Sequence, residues 1–343
     1  MTKRTEISEL GEFGLIDRIT KDFPVANKNT IKSVGDDCAV LNAGDRQMLL
    51  STDLLIEGVH FDLTYMPLKH LGYKAAVVNF SDICAMNAVP SQIMVSFGLS
   101  NRFSVEAVDE LMDGIREACK NYKVDLIGGD ISSSVSGLVI SITAIGYGEK
   151  ENISYRSGAK DKDVICVTGD LGAAYMGLHV LEREKQEFKA NPEMQPDIQD
   201  KSYVIQRQLR PEARADFIHS LKELEVRPNC MIDISDGLAS ELFHLHFQSK
   251  MGMKIYEDKL PLDEQTRETS LEFHIDPSTS ILNGGEDYEL LFTVSLEDFE
   301  KLKNHPDVSS IGYVTAFEEG VKMVFRSGNL KDLEAQGWQH FKI

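Results

Sequence analysis

The spacing of apolar and polar residues divides the 343-residue chain into helix-like and strand-like stretches that alternate along its length. Leu10, Phe13, Ile16 and Ile19 fall on one stripe and predict a helix over residues 6–22. Residues 34–41 then place two carboxylates, Asp36 and Asp37, in a turn directly before a strand. An apolar run from Met48 to Leu50 predicts a short buried strand that stops on three oxygen-bearing side chains, Ser51, Thr52 and Asp53. Residues 68–86 carry Leu71, Ala75, Val78, Asp82 and Ala85 at spacings of four and three, the signature of one helix face. Asp82 lies on that apolar stripe, and a charge buried there without a partner is costly enough to require a metal or a cation.

Further along, residues 93–99 predict a strand, 103–122 a helix, 124–130 a short strand ending in a Gly-Gly-Asp turn, and 138–147 another strand. A polar stretch, residues 156–163, places a domain boundary near residue 150. Beyond it come a strand at 164–168, a helix from about Ala173, and a charged stretch at 184–201 whose two prolines suggest a surface excursion. Arg210 to Arg214 opens a helix. The strand at 231–233 ends in the turn Asp233-Ile-Ser235-Asp236-Gly237 and leads to a helix carrying Leu242, Leu245 and His246. Asn283 to Asp287 is a turn feeding a strand that reaches Val294; a helix at 296–304 and two short strands within 309–325 complete the pattern. Strands and helices mix throughout, which predicts an α/β chain of two lobes, residues 1–150 and 151–343.

Composition narrows the partners. Acidic residues outnumber basic ones by 55 to 36, a formal charge of −19, which argues against nucleic acid and anionic membranes as partners. A phosphorylated ligand remains compatible if cations screen it. Five scattered cysteines without a C-x-x-C pair read as a reduced, cytoplasmic protein with neither disulfides nor a zinc site. The first residues lack a signal-peptide core, and no apolar run is long enough to span a bilayer.

The acidic turns share one grammar of apolar strand, small residues and carboxylate. It recurs at Asp36/Asp37, Asp53, Asp130, Asp233/Asp236 and Glu286/Asp287. A single Asp-Gly turn is more often turn chemistry or a helix N-cap, but the repetition favours ligation. Aspartates with Ser and Thr hydroxyls, and no cysteine or histidine cluster, suit Mg²⁺ or Mn²⁺. Several such groups converging on two or more magnesium ions would create a phosphate site, to which the glycine turns at 128–129 and 284–285 could add N–H donors. No P-loop, G-x-G-x-x-G opening or H-R-D/D-F-G set occurs, and no Ser/His/Asp nucleophile can be argued from spacing. His60, on an apolar stretch, reads as a core histidine, His244 and His246 as structural or exposed, and Trp338 as a packing anchor.

Taken jointly, Gly11-Glu-Phe-Gly-Leu-Ile, Gly35-Asp-Asp-Cys-Ala, Ser51-Thr-Asp through His60-Phe, Tyr73-Lys-Ala, Asn79-Phe-Ser-Asp-Ile, Ile127-Gly-Gly-Asp, Arg156-Ser-Gly-Ala, Ile232-Asp-Ile-Ser-Asp-Gly-Leu and Gly284-Gly-Glu-Asp-Tyr-Glu-Leu resemble the thiamine-monophosphate kinase family, in the family's order. The resemblance implies the fold shared with aminoimidazole ribonucleotide synthetase and selenophosphate synthetase, in which the N-terminal lobes of a homodimer pair into a β-barrel beside bound ATP. It implies ATP as co-substrate, several Mg²⁺ ions, and thiamine phosphate as acceptor. Matched by motif, Asp37, Ser51, Thr52, Asp53, Asp82, Asp130, Asp233 and Asp236 would hold magnesium. Tyr122, Gly129, Asp130, Arg156 and Ser235 would bind the nucleotide, and His60, Glu286 and Trp338 the thiamine phosphate. Ile-Ser-Ser follows Gly-Gly-Asp where the family more often has threonines, and 184–201 matches nothing carried over. Two other readings stay open: another ATP-using enzyme of the fold, such as a selenophosphate synthetase using a cysteine near the N-terminus, or a non-catalytic cation or nucleotide binder.

Overall fold

The computed structural model describes residues 7–336 apart from residues 194 and 197. The first lobe runs α1 (Ile7–Thr20), β1 (Thr30–Lys32), β2 (Ala39–Ala43), β3 (Arg46–Ile56), α2 (Leu68–Ala85), β4 (Val89–Leu99), α3 (Val105–Tyr122), β5 (Asp125–Ser133) and β6 (Val139–Glu149). Its six strands form one sheet in the order β1-β2-β3-β6-β4-β5, antiparallel except for the parallel β4–β5 pair. The second lobe opens with β7 (Val164–Thr168), α4 (Ala173–Ala190), α5 (Ser202–Leu209) and α6 (Ala215–Glu223). It continues through β8 (Cys230–Asp233), α7 (Leu238–Ser249), β9 (Gly252–Tyr256), α8 (Glu264–Glu272) and α9 (Pro277–Asn283). Last come β10 (Leu290–Val294), α10 (Leu296–Leu302), β11 (Val308–Thr315), β12 (Val321–Val324) and β13 (Leu330–Asp332). These strands make a second sheet, β13-β12-β9-β11-β7-β10-β8, with β8 at one edge. Among the described residues no helix is long and apolar enough to cross a membrane.

The period-2 alternation of the second sheet divides two cores. Leu290, Phe292 and Val294 of β10 face a core shared with the first lobe, which holds Leu49, Phe80, Ile93, Ile140 and Phe217. Leu291 of β10, with Ile165 and Val167 of β7, faces a second core containing Ile232, Leu242 and Ile311. Helix α2 lies in the shared core and is buried on nearly every side, including its polar residues Lys74, Asn79 and Ser81. Its apolar periodicity therefore understates its burial.

Three sequence expectations change. The strand holding Ser51-Thr52-Asp53 does not stop there: β3 continues to Ile56 because each of its residues pairs with the equally long β6, Asp53 opposite Ile142. Ladder pairing outweighs the weak strand preference of an aspartate. Nor is Gly128-Gly129-Asp130 a turn, since it lies within β5, where a Cβ on Gly129 would run into the Val95 carbonyl of the parallel neighbour. The charged stretch at 184–201 is helical as far as Ala190 and ends in a short 3₁₀ turn at Gln199–Lys201. Helix α1 forms as expected, with a break at Gly11, but its apolar stripe is not buried.

Helices α2 and α3 cross on glycine. A Cβ on Gly72 would overlap the Leu111 carbonyl oxygen, and one on Gly114 the Lys69 carbonyl oxygen. Gly114→Ala should therefore lower unfolding free energy by about 1–3 kcal/mol, read as a lower urea midpoint at unchanged m-value. An unchanged midpoint would mean that the helices do not touch there.

Candidate active site

The site forms where the edge strand β8 meets α2 and the centre of β3. Ser51 and Asp53 lie two apart on β3 and so share the face turned toward α2. The Ser51 hydroxyl donates to Asp82 Oδ2, while Asn79 Oδ1 accepts from the Asp53 amide at 3.1 Å. On the other side of α2, Ser81 Oγ donates to Asp233 Oδ2 at 2.6 Å, delivering the last residue of β8 to the same place. Carboxylate oxygens of Asp37, Asp82 and Asp233 then all lie within 4.8 Å of one another. Thr52, one step off in the alternation, is exposed and its hydroxyl donates to the Ile142 carbonyl at 3.2 Å.

Asp37, Ser51, Thr52, Asp53 and Asp82 line a cleft of about 250 Å³ together with Arg156, Ser235, Asp236, Glu12, Phe13, Glu241 and His244. Arg156 is the nearby cation: Nη2 donates to Asp37 Oδ1 at 2.7 Å and Nε to the same oxygen at 3.2 Å, while its backbone N–H donates to Asp36 Oδ1 at 3.0 Å. One guanidinium does not balance the cluster. Burial, and then repulsion from Asp53, Asp233 and Asp37, pushes Asp82 far above the usual carboxylate range. Burial lifts Asp53 to about 6, and burial followed by the charge of Asp37 lifts Asp233 to about 7. Asp37 Oδ2 is buried and has no hydrogen-bond partner. Hard oxygen donors, an orphaned carboxylate oxygen and mutual repulsion together fit divalent cations.

Two glycine turns close the floor of the cleft against each other. The Glu286 amide donates to the Ser235 carbonyl at 2.7 Å, and the Tyr288 amide to the Ile234 carbonyl at 2.9 Å. Gly237 has φ of 109°, where a side chain would crowd the carbonyls of Leu282 and Gly284. The close approach at 284–285 is thus between two segments of the chain, and the amides of Gly284 and Glu286 already serve protein carbonyls.

The fold gathers Asp37, Ser51, Thr52, Asp53, Asp82, Asp236, Arg156 and Ser235 along one cleft and sets Asp233 against Asp37 and Asp82, but does not bring in the other sequence candidates. Gly129 and Asp130 lie on the exposed edge strand β5. Tyr122 ends α3, where its hydroxyl donates to Glu212 at 2.7 Å. His60 sits in the turn after β3, its Nδ1 accepting from the Ile56 amide at 3.0 Å. Glu286 pairs with Lys74 at 2.9 Å. Trp338 lies outside the described residues. Sequence reading passed over Glu241, which is buried, raised well above its usual pKa by burial and then by Asp236, and accepts from the Asp236 amide at 3.0 Å. The signal was available: Leu238, Glu241, Leu242 and Leu245 share one helical stripe, the same pattern that marked Asp82. A larger cavity of about 410 Å³, lined by Arg46, Tyr147, Lys222 and Arg227 among others, contains none of these carboxylate ligands.

Comparison with known proteins places this geometry in context. The family described as AIR synthase related protein, N-terminal domain, matches residues 35–147. The chain is 37% identical over 335 residues to the thiamine-monophosphate kinase of Aquifex aeolicus, covering 98% of this chain and 99% of that protein. It is 34% identical over 339 residues to the thiamine-monophosphate kinase of Bacillus subtilis, covering 97% and 100%. A solved structure described as AaThiL complexed with AMPPCP and TMP superposes with a TM-score of 0.85 at 34% identity, over 99% of this chain and 100% of that one.

The buried carboxylates set a pH signature. The folded values of about 6 for Asp53 and about 7 for Asp233 exceed the ordinary 3.8, so the folded chain binds more protons than the unfolded one in between. Their contribution to stability is complete below about pH 3.8 and is lost as pH rises through 6–7. Magnesium should therefore raise Tm more at pH 7.5 than at pH 5.5, relative to EDTA-treated protein. Equal increments at both pH values would show that these carboxylates do not take the metal.

Proposed function

We propose that this chain, which belongs to the thiamine-monophosphate kinase family, phosphorylates thiamine phosphate to thiamine diphosphate with ATP in the acidic cleft between its lobes. The observation that carries this reading is the convergence of Asp37, Asp82 and Asp233 within 4.8 Å, in a chain alike from end to end to a structure described with an ATP analogue and TMP. Residues 1–150 form the lobe that binds ATP and metal and makes the dimer, and residues 151–343 the lobe that completes the site. The last strand of the first sheet ends at Glu149 and the first of the second begins at Val164.

Asp37, Asp82 and Asp233 would hold Mg²⁺, with Asp53, Ser51 and Asp236 beside them. When bound, the ions supply the positive charge that neutralises the phosphates and the charge developing in transfer. The chain's own part is placement. Asp37 fixes the Arg156 guanidinium at the cleft, where it can meet a phosphate oxygen, and Ser235 offers a hydroxyl beside it. The acceptor is a phosphate oxygen already ionised at neutral pH, so direct in-line attack on the γ-phosphorus needs no strong base. Positioning and electrostatics account for the rate.

The selenophosphate synthetase reading asks for a reactive cysteine. Cys38 is buried, donates to the Asp82 carbonyl at 3.3 Å, and is held far above the usual thiol pKa by burial and then by Asp82. A thiol so protonated is a poor nucleophile. All five cysteines are free, in keeping with a cytoplasmic enzyme. A second copy would pair along the exposed edge strand β5, which carries Leu126, Ile127 and Ile131.

Two measurements test these readings. Thiamine phosphate should trigger ADP release, and Asp82→Asn should cut kcat roughly 100-fold or more while leaving the fold intact. A folded variant with ordinary turnover would take Asp82 out of the site, and ATP binding without ADP release would leave only a nucleotide binder. In light scattering, the protein should run as a dimer and Ile131→Asp as a monomer; a monomeric parent would refute the pairing.

A further inference from the structure

The motif Tyr73-Lys74-Ala75 plays no part in the chemistry above, yet it places a lysine where lysines are rarely found. The Lys74 side chain is 2% exposed, inside the core that α2 shares with the second lobe. Burying an ammonium is costly unless acceptors surround it, and both of its acceptors come from the other lobe. Nζ donates to the Gln208 carbonyl of α5 at 3.0 Å and pairs with Glu286 Oε1 at 2.9 Å. Gln208 completes a clamp, its Nε2 donating to the other carboxylate oxygen, Glu286 Oε2, at 2.7 Å. Each oxygen of Glu286 is therefore held by one buried donor, while the side chain keeps 31% of its surface open.

The backbone adds to this restraint. Glu286 has φ of 64° and Tyr288 has φ of 54°, a left-handed conformation that costs energy outside glycine and persists only where surroundings enforce it. The Glu286 amide is tied to Ser235, in the turn that carries Asp236. Glu286 is thus the hinge point between the acidic cleft and α2, with its carboxylate aimed by two residues that do not line that cleft. Gln208 Oε1 is itself buried and has no partner, so the amide is oriented by what its nitrogen does.

We propose that Lys74 and Gln208 are positioning residues for the acceptor substrate: they fix the rotamer of Glu286 so that its open lone pairs face thiamine phosphate. This rests on the reading that Glu286 contacts that substrate. Lys74 also offsets part of the carboxylate charge, which keeps Glu286 from repelling the phosphate end while leaving it an acceptor for the cationic heterocycle or its amine.

The test is a double-mutant cycle in steady-state kinetics with Lys74→Met, Glu286→Gln and the pair. Lys74→Met should raise KM for thiamine phosphate roughly tenfold and leave KM for ATP within about twofold. In the Glu286→Gln background the same change should add little, because the carboxylate it positions is gone. Gln208→Met, which removes only the second donor, should show the same selectivity at severalfold, and it serves if Lys74→Met does not fold. Equal rises in both KM values with a lowered Tm, or an undiminished Lys74 effect in the Glu286→Gln background, would overturn the positioning role. If Glu286→Gln itself leaves KM for thiamine phosphate unchanged, the substrate role of Glu286 fails, and the proposal falls with it for a different and recognisable reason.

Discussion

Helix α2 is the constraint on which the rest depends. A helix buried on nearly every side has to satisfy most of the polar groups it carries, and α2 carries Tyr73, Lys74, Asn79, Ser81 and Asp82. Asn79 and Asp82 reach β3, at the Asp53 amide and Ser51, and the others reach the second lobe: Tyr73 to Glu212, Lys74 to Gln208 and Glu286, Ser81 to Asp233. The polar bonds on α2 thus fix the second lobe against the first. An apolar helix of the same shape would bury as well and specify far less.

The same helix explains why the acidic cleft exists in a folded protein. Bringing Asp37, Asp82 and Asp233 together costs desolvation and repulsion, visible in the raised proton affinities of Asp82 and Asp233. The Ser51 and Ser81 hydroxyls and the Arg156 guanidinium offset a fraction of that cost. The remainder is uncompensated negative charge, held in the fold by two tight apolar cores, which a bound cation would offset. A site of this kind destabilises the resting chain and gains from its ligand, a common relation between stability and function.

A second buried network lies in the second lobe, and its residues do not line the acidic cleft. Arg207 and Arg214 both pair with Glu289, at 3.0 and 2.7 Å, and Asp287 accepts from the Gly172 amide at 2.7 Å. These charges are matched nearly one for one. The cluster around Asp82 differs in having one guanidinium, that of Arg156, for its several carboxylates.

Several features were legible in the sequence because they follow from local periodicity. The spacing of Leu71, Ala75, Val78 and Asp82 fixed both α2 and the burial of a carboxylate, since 3.6 residues per turn admits no other placement. The motif order carried the family and, with it, most of the cleft. Other features depend on pairing between distant segments. Whether Ser51-Thr52-Asp53 ends a strand or lies within one depends on β6, about ninety residues away, and a period of two then separates Thr52 from its neighbours. Asp130 shares the cleft residues' grammar, yet parallel pairing with β4 sends it to an exposed edge. Lys74 stands in the sequence only as part of the Tyr73-Lys-Ala motif, and its burial comes from the second lobe that covers it. Sequence periodicity assigns a residue to a face; only the tertiary fold decides what that face meets, because the partner's position is set by contacts spread over the whole chain.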